Sequence, residues 1–252
     1  MKVAMVVNRI GPDPRANLRA MERAAGEAAK KGAALVLFPE AASTGLLNND
    51  DPKHDLPLGQ TIPGPVTRRL GGAARRHSIH IATGLLEREG ETLYDSAVLI
   101  GPDGSVILKY RRIDPHWHGP RADAAVYREG GDIPTVRTPL GAFAFLICGD
   151  LFDDEITSRA KRLGVDWLLF PFARSFDDCS YNQGRWDKQE RPTYCQRAAR
   201  TGTTVLMANY LAGMRAEDDW SFGGAMAVSP RGEPLATFPL GVPGMLFVDL
   251  PK

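Results

Sequence analysis

No stretch of the 252 residues approaches the ~18 consecutive apolar side chains that a membrane-crossing helix needs. The first apolar run, Val3 to Val7, ends at Asn8-Arg9 and is too short for the apolar part of a secretory leader. Cysteine is scarce. The three, Cys148, Cys179 and Cys195, are odd in number and far apart, so no disulfide framework, CxxC pair or zinc spacing is present. We read free thiols in a reducing compartment, and hence a soluble cytoplasmic protein. An excess of one charge is also missing. Lys+Arg 31 against Asp+Glu 30 leaves +1, so no bulk field draws the chain to nucleic acid or to an anionic membrane. Low-complexity tracts and interdomain linkers are absent as well, and we read residues 1–252 as a single domain. What remains is globular: 43% hydrophobic and 24% charged residues, in a chain long enough to bury roughly 70–75% of its unfolded surface without disulfide or metal.

The pattern alternates strand and helix. Lys2–Asn8 and Ala34–Phe38 are Val- and Leu-rich runs of strand length. Between them, Asn17–Lys31 places Leu18, Met21, Ala25 and Ala28-Ala29 at helical spacing and stops at Gly32. Thr67–His77 reads as a helix. Ile79–Glu87, Leu93–Ile100 and Val106–Tyr110 read as strands, the last two joined by the turn Pro102-Asp103-Gly104. The second half repeats the scheme. Strands are expected at Ala142–Ile147, Asp166–Phe170 and Thr203–Asn209, and helices at Asp153–Leu163 and Arg191–Thr201. Phe222–Val228, Pro234–Phe238 and Met245–Val248 close the sheet. Two long loops, Asn48–Gln60 and Arg174–Glu190, carry no pattern, and loops of that length in a compact domain are more often functional than idle.

Several residues could carry chemistry. Cys148 follows the apolar run Phe143–Ile147 and precedes a helix, so its thiol lies at a strand-to-helix turn near a helix N-terminus, which favours thiolate. The competing reading is an inert core cysteine, and the local pattern alone leaves the two even. Cys195 falls inside a helix and Cys179 among acids, which raise a thiol's pKa; both are weaker nucleophiles. His116-Trp117-His118 lacks the third ligand of a metal site. Glu40 ends the run Leu35–Pro39, at the strand end where ligand sites of open α/β sheets lie, and partial desolvation there would raise it toward a useful base. Its alternative is a solvated loop acid. Lys109 ends Val106–Leu108, where a snorkelling edge lysine is the ordinary reading.

Phe38-Pro39-Glu40, Lys109-Tyr110-Arg111-Arg112 and Ile147-Cys148-Gly149-Asp150, in that order, resemble the nitrilase superfamily of carbon–nitrogen hydrolases. Asp166–Pro171, Arg197-Ala198 through Ala208-Asn209, and Phe222-Gly223-Gly224 with Ser229–Glu233 extend the resemblance over nearly the whole chain. It implies a four-layer α-β-β-α sandwich that pairs into a homodimer or higher homo-oligomer. It implies a Glu–Lys–Cys triad of Glu40, Lys109 and Cys148, with the backbone N–H of Gly149 at the oxyanion and no metal or organic cofactor. Glu40 would take the thiol proton, Cys148 would form a thioester with an amide-type carbon, and Lys109 would stabilise the oxyanion. Many family amidases carry a second Glu, and the turn Tyr127-Arg128-Glu129-Gly130 puts Asp123 at that position, with Glu129 as the fallback. The run after the nucleophile, Gly149-Asp150-Leu151-Phe152-Asp153-Asp154-Glu155, keeps the family's Asp and final Glu but not its Tyr, Arg, Phe and Pro. The substrate pocket is accordingly expected to differ, with Phe172, Arg174, Phe176 and Trp186 as its lining and Arg174 able to hold a substrate carboxylate. The resemblance favours hydrolysis of a small amide, carbamoyl compound or ω-amide. The alternatives are a homologue that binds without turnover and an acyltransferase using the same thioester.

Overall fold

Val3, Met5 and Val7 pack on one side of their strand and Ala4 and Val6 on the other, and both sides are buried. A strand buried on two faces must lie inside a layered fold, which is what the near-continuous apolar runs of this sequence require. The computed structural model describes residues 1–212 and 221–251. Its first-half strands are β1 (Lys2–Val7), β2 (Arg9–Ile10), β3 (Leu35–Leu37), β4 (His80–Glu89), β5 (Thr92–Ile100) and β6 (Val106–Arg111). The second half adds β7 (Val136–Thr138), β8 (Gly141–Phe145), β9 (Trp167–Phe172), β10 (Thr204–Asn209), β11 (Leu211–Ala212), β12 (Gly223–Val228), β13 (Pro234–Leu240) and β14 (Gly244–Asp249).

Two six-stranded sheets form, ordered β14-β1-β3-β4-β5-β6 and β13-β12-β10-β9-β8-β7, with β2 and β11 pairing in a small parallel ribbon. β1, β3 and β4 run parallel, as do β8, β9 and β10, and antiparallel hairpins complete each sheet. The inward faces of the two sheets meet in one core that joins Met5, Leu37 and Leu99 to Phe145, Leu169 and Met207. The helices Pro14–Lys30 and Pro65–His77 cover the outer face of the first sheet through Leu18, Met21, Ala25, Leu70 and Ala74. Each large apolar side chain so buried contributes roughly 1.5–3 kcal/mol. Asp154–Arg162 and Arg191–Arg200 cover the second sheet through Ile156, Ala160, Tyr194 and Ala198. This is the α-β-β-α sandwich.

Helix ends follow local chemistry. Asp13 caps the first helix by accepting from the Arg15 N–H, with Pro14 at its first position. Asp153 caps Asp154–Arg162 by accepting from Ile156 N at 2.8 Å. The expected strand Ala142–Ile147 ends earlier, at Phe145, because the chain turns at Cys148 into a single 3₁₀ turn, Cys148–Phe152. The unpatterned Arg174–Glu190 stretch ends in a π-helical turn, Trp186–Glu190, that runs straight into the helix Arg191–Arg200.

Candidate active site

Three strand ends bring the site together. β3 leads through Phe38-Pro39 to Glu40, β6 leads to Arg112, and β8 leads to Cys148. Glu40 is fully buried. The chain there is held to β4 by Phe38 N–H to Ala82 O at 2.8 Å and Gly84 N–H to Pro39 O at 3.0 Å. Gly84 is required for this approach: a Cβ at that position would lie 2.6 Å from the Glu40 Cα.

Cys148 adopts φ +44°, a left-handed conformation that a side-chain-bearing residue takes only under constraint. Such a turn lifts the side chain off the sheet edge. Its Sγ lies 3.5 Å from the Ala173 carbonyl oxygen at the end of β9. The constraint is visible in Asp150, two residues on. Its buried carboxylate accepts from Ile147 N at 2.9 Å and the Tyr110 hydroxyl at 2.7 Å through one oxygen. The other oxygen accepts from Ile113 N at 3.1 Å and Asp114 N at 2.8 Å. One carboxylate thus ties the nucleophile turn to the segment after β6. Burial pushes Asp150 up to about 6, against these four donors and the nearby Arg112.

The structure places Lys109 apart from Glu40 and Cys148. Lys109 does not reach the site. Its Nζ donates to Glu87 Oε1 at 2.8 Å, where Arg111 also binds through Nη2 at 2.7 Å and Nε at 2.9 Å. The reason is strand parity. In β6, Leu108 and Tyr110 point into the core between the sheets, so Lys109 and Arg111 point away from it. Arg112 shares the parity of Tyr110 and turns inward. It is 4% exposed, and its Nη1 donates to Glu40 Oε1 at 3.2 Å and to Asp95 Oδ2 at 3.4 Å. Its Nη2 donates to Asp114 Oδ1 at 2.8 Å. The same guanidinium packs against Gly149, where a Cβ would strike both Arg112 and Asp114. Burial works against its charge, but Cys148, Glu40, Asp95 and Asp114 outweigh burial and hold Arg112 protonated above its ordinary value. Its Nε, also buried, has no partner among the described residues.

The second carboxylate is also not where the sequence placed it. Asp123 is an exposed turn residue whose Oδ1 accepts from Ala125 N at 2.9 Å. Glu129 pairs instead with His118 Nε2 at 2.9 Å. The buried acid next to Glu40 is Asp95 of β5, which sequence reasoning passed over. Alternation along β5 carried a signal for it: Leu93, Ala97 and Leu99 are apolar at the same parity, and Asp95 alone is charged. Burial raises Glu40 well above the carboxylate range, and negative charge on Cys148 and Asp95 adds to that while Arg112 opposes it. Burial also raises Asp95, against hydrogen bonding with Glu40 and the charge of Arg112.

The expected lining residues are aromatic packing rather than open wall. Phe172 stacks on Phe170 at 5.4 Å, Phe176 meets Phe222 at 4.6 Å, and Trp186 meets Tyr194 at 5.2 Å. All three are buried. Phe172 and Trp186 back Tyr194, whose buried phenol is raised well above its usual value by burial first and then by charge on the adjacent Cys148. Arg174 is already engaged by Glu190 through two nitrogens, at 3.1 and 3.4 Å. No cluster of metal-ligating side chains occurs among the described residues, and no helix of theirs is long and apolar enough to cross a membrane.

The chain and its fold are similar to those of several known proteins. The family profile described as carbon-nitrogen hydrolase matches residues 2–252. The chain is 33% identical over 162 residues to a nitrilase of Pyrococcus abyssi, covering 63% of this chain and 59% of that one. Over 237 residues it is 26% identical to deaminated glutathione amidase of Mus musculus, covering 89% and 70%. It spans about half the length of several plant and archaeal nitrilases that it matches. Its fold superposes on a crystal structure of an amidase from Nesterenkonia sp. with TM-score 0.79 and 26% identity, covering 100% of this chain and 90% of that one. With its whole length accounted for in both comparisons, this chain belongs to the carbon-nitrogen hydrolase family.

Proposed function

We propose that this protein hydrolyses the non-peptide carbon–nitrogen bond of a small amide through a thioester on Cys148. The observation that carries the reading is the convergence of Glu40, Arg112 and Cys148, buried or half-buried, at one end of the sandwich. Glu40 takes the Cys148 proton as the sulfur attacks the carbonyl carbon. The amide oxygen gains negative charge, and the Arg112 Nε–H, the donor of that guanidinium without a partner among the described residues, is the group free to meet it. As the C–N bond breaks, Glu40 passes its proton to the leaving nitrogen and ammonia or an amine departs. Glu40 then draws a proton from water as it attacks the thioester, and returns that proton to the departing Cys148 sulfur as the C–S bond breaks and the acid is freed. General base and oxyanion donor of this kind contribute on the order of 10²–10⁴ each.

Arg112 thus takes the role that the resemblance gave to Lys109. A guanidinium is fixed in charge and planar, so it can hold three carboxylates and still present an N–H. Structures of the Nesterenkonia amidase include a complex with butyramide and an adduct at its active-site cysteine, which favours short aliphatic amides as the first substrates to try. A homodimer in a reducing cytoplasm completes this reading, with sedimentation of the purified protein as its check.

The test is incubation with a panel of small amides, carbamoyl compounds and nitriles. Ammonia release and intact mass are read together, with Cys148→Ala as control. Turnover or an acyl adduct that the substitution abolishes supports the mechanism. No ammonia and no adduct, with Cys148 no more readily alkylated than the exposed Cys179, overturns it in favour of a binding homologue.

A further inference from the structure

Four ionisable groups meet in the buried part of the site with unequal charge. Arg112 supplies one positive charge. Facing it are Glu40, Asp95 and Asp114, with the Cys148 thiol and the Tyr194 phenol nearby. Asp114 takes Nη2 of Arg112 and also approaches the His116 ring at 3.0 Å, and these contacts hold it below the usual carboxylate range against burial. It is therefore the settled anion. Glu40 and Asp95 are left to share Nη1, each through one oxygen, with the Glu40 side chain fully buried and that of Asp95 5% exposed. Glu40 Oε2 is buried and receives no N–H or O–H donor from the described residues. On its other side Asp95 borders a narrow pocket lined by Ala41, Thr44, Leu86 and Trp117, whose walls carry no cation among the described residues. Two bare carboxylates on one shared nitrogen, out of water, would each carry a desolvation penalty that a single guanidinium does not offset.

We propose that Glu40 and Asp95 hold one proton between them in the resting site, so that Asp95 acts as a positioning residue which takes that proton over when Glu40 serves as the base. The inference rests on the reading of Glu40 as the base for the Cys148 thiol. With the proton on Asp95, the Glu40 carboxylate has its missing donor and remains able to accept from sulfur. When the thiol proton arrives on Glu40 both carboxyls are protonated, a transient state relieved as the leaving nitrogen takes a proton. The pair titrates as a unit, and its two protons belong to the dyad rather than to either side chain.

Infrared difference spectroscopy of the intact protein at neutral pH tests this without any substrate. The expected result is a carboxylic-acid C=O band in the wild type that vanishes both in Asp95→Asn and in Glu40→Gln. With one of the pair an amide, the other is left alone on Nη1, and Asp114 is held apart on Nη2, so no second acid shares its proton. A band that survives both substitutions belongs to another acid such as Asp150, and that outcome, or no band at all, overturns the proposal. Kinetics on variants whose folding is first checked by circular dichroism give a second readout. Asp95→Asn keeps a donor toward Glu40 and is expected to retain kcat/KM within about tenfold, while Asp95→Leu loses roughly 10²-fold. Equal loss in both means that Asp95 serves as an ionised partner of Arg112, which refutes proton sharing. Should the band behave as expected and no amide be hydrolysed, the dyad stands and the hydrolase reading falls.

Discussion

Replacing Arg112 and replacing Lys109 should have opposite consequences, and the structure fixes how far apart. Arg112→Met keeps most of the side-chain volume but leaves Glu40, Asp95 and Asp114 without their common cation in a buried setting. Removing one partner of a buried ion pair costs about 3–5 kcal/mol, an appreciable part of the stability of any domain. The uptake of protons by Glu40 and Asp95 would soften that figure but would also disable the base. Loss of the oxyanion donor alone lowers kcat by roughly 10²–10³. Lys109→Met is different. Its side chain is 33% exposed, and Glu87 keeps two bonds from Arg111 and one from the Ser96 hydroxyl. The expected cost is under about 1 kcal/mol, with kcat/KM on the best amide within about threefold of wild type. Urea unfolding and steady-state ammonia release measure both quantities on the same preparations. A Lys109→Met protein that folds normally and is inert, beside an Arg112→Met protein that still turns over, would refute the assignment of Arg112.

Asp150→Asn should destabilise the fold by about 3 kcal/mol, because an amide N–H₂ must face donors that now meet an oxygen. It should also slow alkylation of Cys148 by iodoacetamide. Because the native state holds the Asp150 proton up to about 6, its contribution to stability is complete below about 4 and is lost as pH rises through about 6. Urea midpoints measured across that interval should fall less steeply in the variant, and an unchanged slope would sink the argument. Gly84→Ala drives a methyl group into the backbone at Glu40, and we expect an overpacking loss of about 1–3 kcal/mol together with turnover reduced at least about tenfold. Near-wild-type turnover in that variant would mean that Glu40 is not held by β4.

Most elements were legible because they rest on local rules. Val-rich runs gave β1 and β3, spaced alanines and leucines gave the helix Pro14–Lys30, and acids before bases gave Asp154–Arg162. Glu40 and Cys148 were legible for a related reason, as each is the first reactive side chain after a buried strand. The cation was harder. Lys109-Tyr110-Arg111-Arg112 offers three cations in four positions, and which one enters the site depends on the face that Tyr110 takes. That face is set by the opposing sheet and not by the segment itself. Counting parity from Leu108 would have selected Arg112. Asp95 was missed because its partners lie far along the chain, in segments that only the folded sheets bring together. Phe176 and Trp186 of the Arg174–Glu190 stretch read as an open pocket wall in the sequence, but both are buried, Phe176 against Phe222 and Trp186, in the π-helical turn, against Tyr194.

A guanidinium in the heart of this site has one further consequence. It cannot give up its proton at any pH a protein survives, and it is not a nucleophile toward aldehydes or acylating agents. Among the described residues that meet at the site there is therefore no amine that a simple aldehyde could condense with or an activated ester could cap. Among the described residues that meet there, the Cys148 sulfur is the strongest nucleophile, so covalent inhibitors of this protein should be selected for thiol chemistry. Reagents aimed at lysine would spend themselves on Lys109, on the far face of β6, and leave the reaction centre untouched.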